Sequence, residues 1–196
     1  MAARLPAPAR RRQLLDVALE QFAHRGFRGV SMDQVAEAAG VTKPVLYQHF
    51  ASKRALYLEL VADVADRLEG AVLKATADVT SPREQVEAGF RVYFRFVTEH
   101  RDAFRLLFSG EDRRDRDLVE AVVRVEATFA RAIAALIDVE GLTADDRLLL
   151  ARGIVGIAEV TSRHALDDPD ADRDTLAHRV AGLAWAGLRG VRASDA

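Results

Sequence analysis

Residues 31–50 read SMDQVAEAAGVTKPVLYQHF, and the pattern on either side of Gly40 decides the fold. Ser31 is a good helix N-cap, and Val35, Ala36 and Ala39 share one face of a short helix from Met32 to Ala39. Gly40 can take the left-handed backbone conformation that ends a helix. A second short helix starts near Thr42 or Lys43 and runs to about His49. Pro44 lies in its first turn, where a missing N–H costs nothing. Ala36 and Ala39 are small where two helices must cross closely, and Val41 and Leu46 can plug the angle between them. This is the logic of a helix-turn-helix, which lays its second helix in the DNA major groove.

Outward from this stretch nearly every segment reads as helix, and none shows sustained two-residue alternation. Upstream, Leu14, Leu15, Ala18 and Phe22 line one helical face that Gly26 ends, after a ragged basic tail over residues 1–10 containing Pro6 and Pro8. Downstream, Ser52 can cap a long helix carrying Leu56, Leu60, Val64, Leu68 and Val72 to about Ala77. Ser81-Pro82-Arg83-Glu84 is a capping box with proline at the first helical position, opening a helix with Val86, Phe90, Phe94 and Val97. A short apolar piece, Ala103 to Phe108, is closed by Gly110, and the charge run Glu111 to Asp117 reads as a solvated loop. Helices over Leu118–Ile137, Thr143–Leu166 and Ala171–Val191 follow, with Gly141 and Pro169 at the breaks. The predicted fold class is all-α.

The 196 residues carry 49% hydrophobic side chains, a net charge of −2 and no cysteine. That length fits one domain or two small ones with a real core, and the composition argues against disorder. Lack of cysteine excludes disulfides, thiolate metal sites and a cysteine nucleophile, and makes a reduced cytoplasm the default. The longest charge-free apolar runs, such as Ala132–Ile137 and Gly153–Ala158, fall far short of the ~20 residues a bilayer needs, so no membrane span is expected. The charge is unevenly placed. Through Arg54 nine Lys/Arg stand against four acids, a net +5; the remaining 19 bases and 26 acids leave −7. A basic end on an acidic body suits a polyanionic partner, although chance clustering on solvated surfaces fits equally.

Residues 11–56 resemble the N-terminal DNA-binding domain of TetR/AcrR-type transcriptional repressors. The match runs through Leu14, Leu15, Ala18, Phe22, Gly26, Phe27, Ser31, Val35, Ala36, Ala39, Gly40, Val41, Leu46, Tyr47, His49, Phe50, Lys53 and Leu56, and the string LYQHFASKRAL is particularly close. The rest resembles that family's helical regulatory domain in length and helix content. The resemblance implies a three-helix helix-turn-helix domain over 1–54 joined to a helical ligand-binding and dimerisation domain over 55–196. It also implies a homodimer on an inverted-repeat operator of double-stranded DNA, most simply a repressor released by a small apolar effector, with no cofactor.

Single residues can be read for such a role. Thr42 and Lys43 open the recognition helix, where free amides favour phosphate, and Lys43 can reach phosphate or a guanine edge. Pro44 and Val45 can meet a thymine methyl. Tyr47 can touch phosphate, pack at the domain edge, or both. Gln48 is the best direct reader, because its amide can bond adenine in bidentate fashion. His49 suits backbone phosphate or a helix cap better than a base, and Phe50 suits the core. Lys53 is expected to clamp phosphate from the flank; Ser31 could do so too, or act as an N-cap only. Arg10, Arg11 and Arg12 precede the first helix and either follow the DNA backbone or minor groove or lie in solvent.

In the resembled family the last two helices pair with their copies. Gly153, Gly156, Ala181, Gly182, Ala184, Ala186 and Gly187 would allow close approach, with Leu149, Ile154, Ile157, Leu183, Trp185 and Leu188 as anchors; the competing reading is an internal core. Aromatics concentrate between residues 90 and 129. Phe90, Phe94, Phe104, Phe108 and Phe129, with Glu126, Glu159 and His164 as polar anchors, are candidate effector-pocket residues, although core or surface roles fit each. Two other classes compete. An enzyme is disfavoured by the lack of GxGxxG, GxxxxGK[ST], GxSxG and HExxH patterns, and the five histidines have no ligand-like spacing, so no metal is expected. A helical protein-interaction adapter without DNA binding is disfavoured by the basic N-terminal module.

Overall fold

The computed structural model describes residues 5–108, 116–167 and 172–191. Among these residues the chain forms nine α-helices and no strand. They are α1 (Ala7–Arg25), α2 (Met32–Ala38), α3 (Lys43–His49), α4 (Lys53–Thr76), α5 (Pro82–Glu99), α6 (Arg101–Phe108), α7 (Arg116–Leu136), α8 (Ala144–Asp167) and α9 (Arg173–Gly190). Gly110, residues 111–115 of the charge run and Pro169 lie outside the described residues, while Arg116 and Asp117 already belong to α7.

Local chemistry explains the boundaries. Gly26 (φ 66°) ends α1 and its N–H bonds the Phe22 carbonyl. Asp172 caps α9, its carboxylate accepting from the Asp174 amide. Thr143 and Asp146 cap the start of α8 reciprocally. At Ser81 the hydroxyl accepts from the Glu84 amide. The reciprocal box of serine and a residue three further on is completed at Ser31 and Gln34: Ser31 Oγ accepts from the Gln34 N–H at 3.2 Å, and the Ser31 N–H donates to Gln34 Oε1 at 2.8 Å.

One expectation fails at the start of the chain. The helix begins at Ala7, so Arg10, Arg11 and Arg12 stand on α1 rather than in a tail before it. Pro8 falls in the first turn, where proline starts a helix instead of breaking one.

The chain divides into two compact units, residues 1–64 with 102–122, and residues 65–101 with 123–196. The 54/55 boundary read from the sequence therefore falls inside the first unit. The core of that unit gathers Leu14, Ala18 and Phe22 of α1, Val35 and Leu46 of α2 and α3, and Leu56, Leu60 and Val64 of α4. Tyr57 packs edge-on against Phe22 and Phe27 and donates its hydroxyl to the Leu106 carbonyl, tying α6 into this unit. In the second unit Phe90 and Phe94 of α5 pack against Ala158 of α8 and Ala177, Val180, Ala181 and Ala184 of α9. A smaller cluster joins Ala130 and Ile137 to Ala151.

Candidate nucleic-acid interface

The turn between α2 and α3 is a Schellman motif. Gly40 (φ 64°) donates its N–H to Glu37, and the Val41 N–H reaches back to Ala36, both at 3.0 Å. A non-glycine residue would be strained at that φ. Leu46 is fully buried beneath the two helices, with Val35, Ala36 and Ala39 also inside. The opposite face of α3 is left to solvent: Thr42, Lys43, Pro44, Tyr47 and Gln48 are exposed, and Val45 and His49 are half-buried. His49 lies against the Phe50 ring. The structure thus brings most of the expected reading residues onto one surface.

Two cations have partners that the sequence did not suggest. Lys43 Nζ pairs with Asp33 Oδ1 at 2.7 Å, and this contact raises the lysine pKa from its usual value. Lys53 Nζ donates to the Phe27 and Val30 carbonyls, each at 2.8 Å, and sits 4.4 Å from the centre of the Phe27 ring. That ammonium braces the turn before α2, a different task from the phosphate clamp expected for it. Ser31, Asp33, Gln34, Lys43, Tyr47 and Lys53 nonetheless line one shallow, open depression together with Arg28.

The expected basic arm is also engaged. Arg11 pairs with Glu59 and lies 5.0 Å over the Phe50 ring, while Arg12 bonds Asp16 and Asp63. The pairs with Glu59 and Asp63 fasten α1 to α4. Arg10 bonds Gln13 on its own helix.

The candidate pocket residues are divided between the two units. Phe90 and Phe94 are core, stacked at 6.1 Å between centroids and closed over by the small residues of α9. Phe104 is buried within the first unit, the side chain of Phe108 lies outside the described residues, and Phe129 is half-buried. His164 is exposed. Glu159 is paired with Arg163. Glu126 lies in the same electrostatic neighbourhood: desolvation, then the Glu159 charge, pushes its carboxyl pKa up, with Arg163 opposing. Nearby, burial raises the Tyr93 phenol, and the Ser162 hydroxyl opposes that shift.

The expected interface residues fall into two groups. Ile154, Ile157 and Leu188 pack against clusters inside the unit, and Trp185 is half-buried. Leu149 is 68% exposed and Leu183 62%, with Val160 at 64%. Gly153 is exposed and Gly156 half-buried, and a Cβ added to either would meet nothing within 4 Å.

Comparison with known proteins agrees with this layout. Residues 14–60 match the family model described as bacterial regulatory proteins of the tetR family, and residues 82–187 match the tetracyclin repressor-like C-terminal domain. The chain belongs to the TetR family of transcriptional regulators. It is 34% identical over 187 residues to the transcriptional activator FasR of Mycolicibacterium smegmatis, covering 94% of this chain and 85% of that protein. It is 35% identical over 110 residues to the transcriptional repressor KstR2 of the same organism, covering 56% of this chain and 53% of KstR2. Among solved structures, a TetR-like regulator from Rhodococcus sp. RHA1 is similar, with a TM-score of 0.80 and 30% identity, covering 96% of this chain and all of that one.

As a TetR-family regulator this protein binds DNA, and no helix among its described residues is long and apolar enough to cross a membrane. Sequence reasoning missed Asp33 as a neighbour of the reading surface. Its only signal was an acid in the first turn of α2, the position that the helix dipole favours anyway.

Proposed function

We propose that this TetR-family regulator works as a homodimer on an inverted-repeat operator and leaves it when a small apolar effector enters the second unit. Thr42, Lys43, Pro44, Val45, Tyr47 and Gln48 make the contacts, with Gln48 reading a base edge. Two α3 helices would then lie about one DNA turn apart, roughly 34 Å.

The observation that carries the dimer is the outer face of α8 and α9. Leu149, Gly153, Gly156 and Val160 recur at helical spacing along α8, and Gly182, Leu183, Ala186 and Gly190 along α9. Added Cβ atoms at Gly153, Gly156, Gly182 and Gly190 would meet nothing within 4 Å. Each glycine costs the helix about 1 kcal/mol against alanine, and nothing inside the protomer requires it. A partner helix approaching closely does. Sedimentation of Leu183→Asp tests this: the wild type should run as a dimer and the variant as a monomer without operator binding. A wild-type monomer that binds operator would refute it.

For the effector, the half-buried Glu126 beside Glu159 supports a polar anchor at the edge of an otherwise apolar interior. A coupling of about 1–3 kcal/mol between effector and DNA suffices to change occupancy strongly. The continuous helix α4, Lys53–Thr76, is the element that would carry it.

Release from a repressing position is the first reading. A second has its own support: FasR, matched along 94% of this chain, is a transcriptional activator. Deleting the operator separates them, because transcription of the adjacent gene rises if the bound protein represses and falls if it activates.

A further inference from the structure

Lys43 opens α3 on the surface assigned above to DNA, and this inference rests on that assignment. A lysine there is a flexible cation able to neutralise any phosphate within reach, whatever the sequence. In this protein its ammonium is held 2.7 Å from Asp33, with Tyr47 alongside. Asp33 lines the same depression as Ser31, Tyr47 and Lys53. Its side chain is 65% exposed, and that of Lys43 is 54% exposed. A pair so open to water adds little to folding. Nor does α2 need the carboxylate as a cap, since Ser31 and Gln34 already complete a capping box. What the carboxylate does have is a consequence for DNA: it competes with phosphate for Lys43 and repels phosphate itself.

We infer that Asp33 is a positioning residue that restrains Lys43 and so limits the affinity of this surface for DNA of any sequence, because its carboxylate must give up the ammonium before a phosphate or a guanine edge can take it. The cost of breaking the pair falls on every sequence and so cancels in the ratio between operator and background. The net effect is weaker binding to DNA in general and a shallower dependence on salt.

The test uses the full-length protein and labelled duplexes, one carrying the selected operator and one of random sequence, titrated across a range of salt. Asp33→Asn should tighten binding to the random duplex roughly two- to five-fold per reading head, and the salt slope should steepen by about one per head. Operator affinity should tighten at least as much, because that complex too is relieved of breaking the pair. Asp33→Glu should keep the wild-type affinities and slope, and in a Lys43→Ala background Asp33→Asn should gain much less, only the relief of direct repulsion. The inference is overturned if Asp33→Asn leaves random-DNA affinity and slope unchanged or weakens binding, or if the same gain persists without Lys43. A wild type that binds neither duplex would overturn the surface assignment as well, and that failure shows without any variant.

Discussion

Replacing Lys53 by alanine separates bracing from phosphate binding. Its Nζ makes two charge-assisted hydrogen bonds to the Phe27 and Val30 carbonyls and lies over the Phe27 ring. Buried charged hydrogen bonds contribute about 1.5–3 kcal/mol each, and a cation–π contact at an open site about 0.5–1 kcal/mol. The ammonium is half-exposed, and the two carbonyls regain water when it goes, so the sum discounts to roughly 2 kcal/mol. The loss falls on the turn between α1 and α2. Amide hydrogen exchange over residues 27–35 should therefore accelerate about 30-fold, the factor that 2 kcal/mol of easier local opening gives. Affinity for all duplexes should drop, because α2 and α3 are less well held. The salt slope should stay at its wild-type value, since no phosphate contact is lost. Unchanged exchange together with a slope shallower by about one per head would refute the bracing role and restore the phosphate clamp.

Three further outcomes are expected. Gly40→Ala places a Cβ in open space but forces φ near 64° on an L-residue, so urea unfolding should show a loss of about 1–2 kcal/mol and operator affinity should fall with it. Gly153→Ala should do the opposite to the protomer, gaining up to about 1 kcal/mol of helix propensity, while sedimentation shows a weaker dimer. Glu126 has a folded-state pKa raised by desolvation and by Glu159, so the folded form holds its proton longer than the unfolded one and stability falls as pH rises through that pKa. Glu126→Gln should accordingly melt higher than wild type at pH 7, with the two curves converging below about pH 4, under the ordinary glutamate pKa.

The legible parts of this protein are those where one residue type answers one physical demand. Gly40 between two short periodic segments required a left-handed turn, and the Schellman bonds to Glu37 and Ala36 supply it. The glycines of α8 and α9 raise the expectation of a close approach, and an added Cβ at Gly153 or Gly156 meets nothing within the protomer. Where one pattern serves two ends, the sequence was silent. Phe90 and Phe94, four apart, fit a pocket wall as well as a core, and what decides for the core is the row Ala177, Ala181 and Ala184 brought opposite them by α9. Pro8 punctuates a tail and starts a helix equally well. Lys53 and Lys43 looked alike as cations near DNA, and their distinct tasks follow from acceptors 26 and ten positions away in the chain, Phe27 and Asp33. No local periodicity carries such pairings.

The central claim is that α3 of this TetR-family protein reads a major groove as one half of a symmetric pair. Selection of bound duplexes from a random pool tests it most directly. The enriched sequences should converge on an inverted repeat with half-site centres about 10 base pairs apart or a multiple of that. A pool that stays random, or a single half-site with no symmetric mate, would contradict the claim.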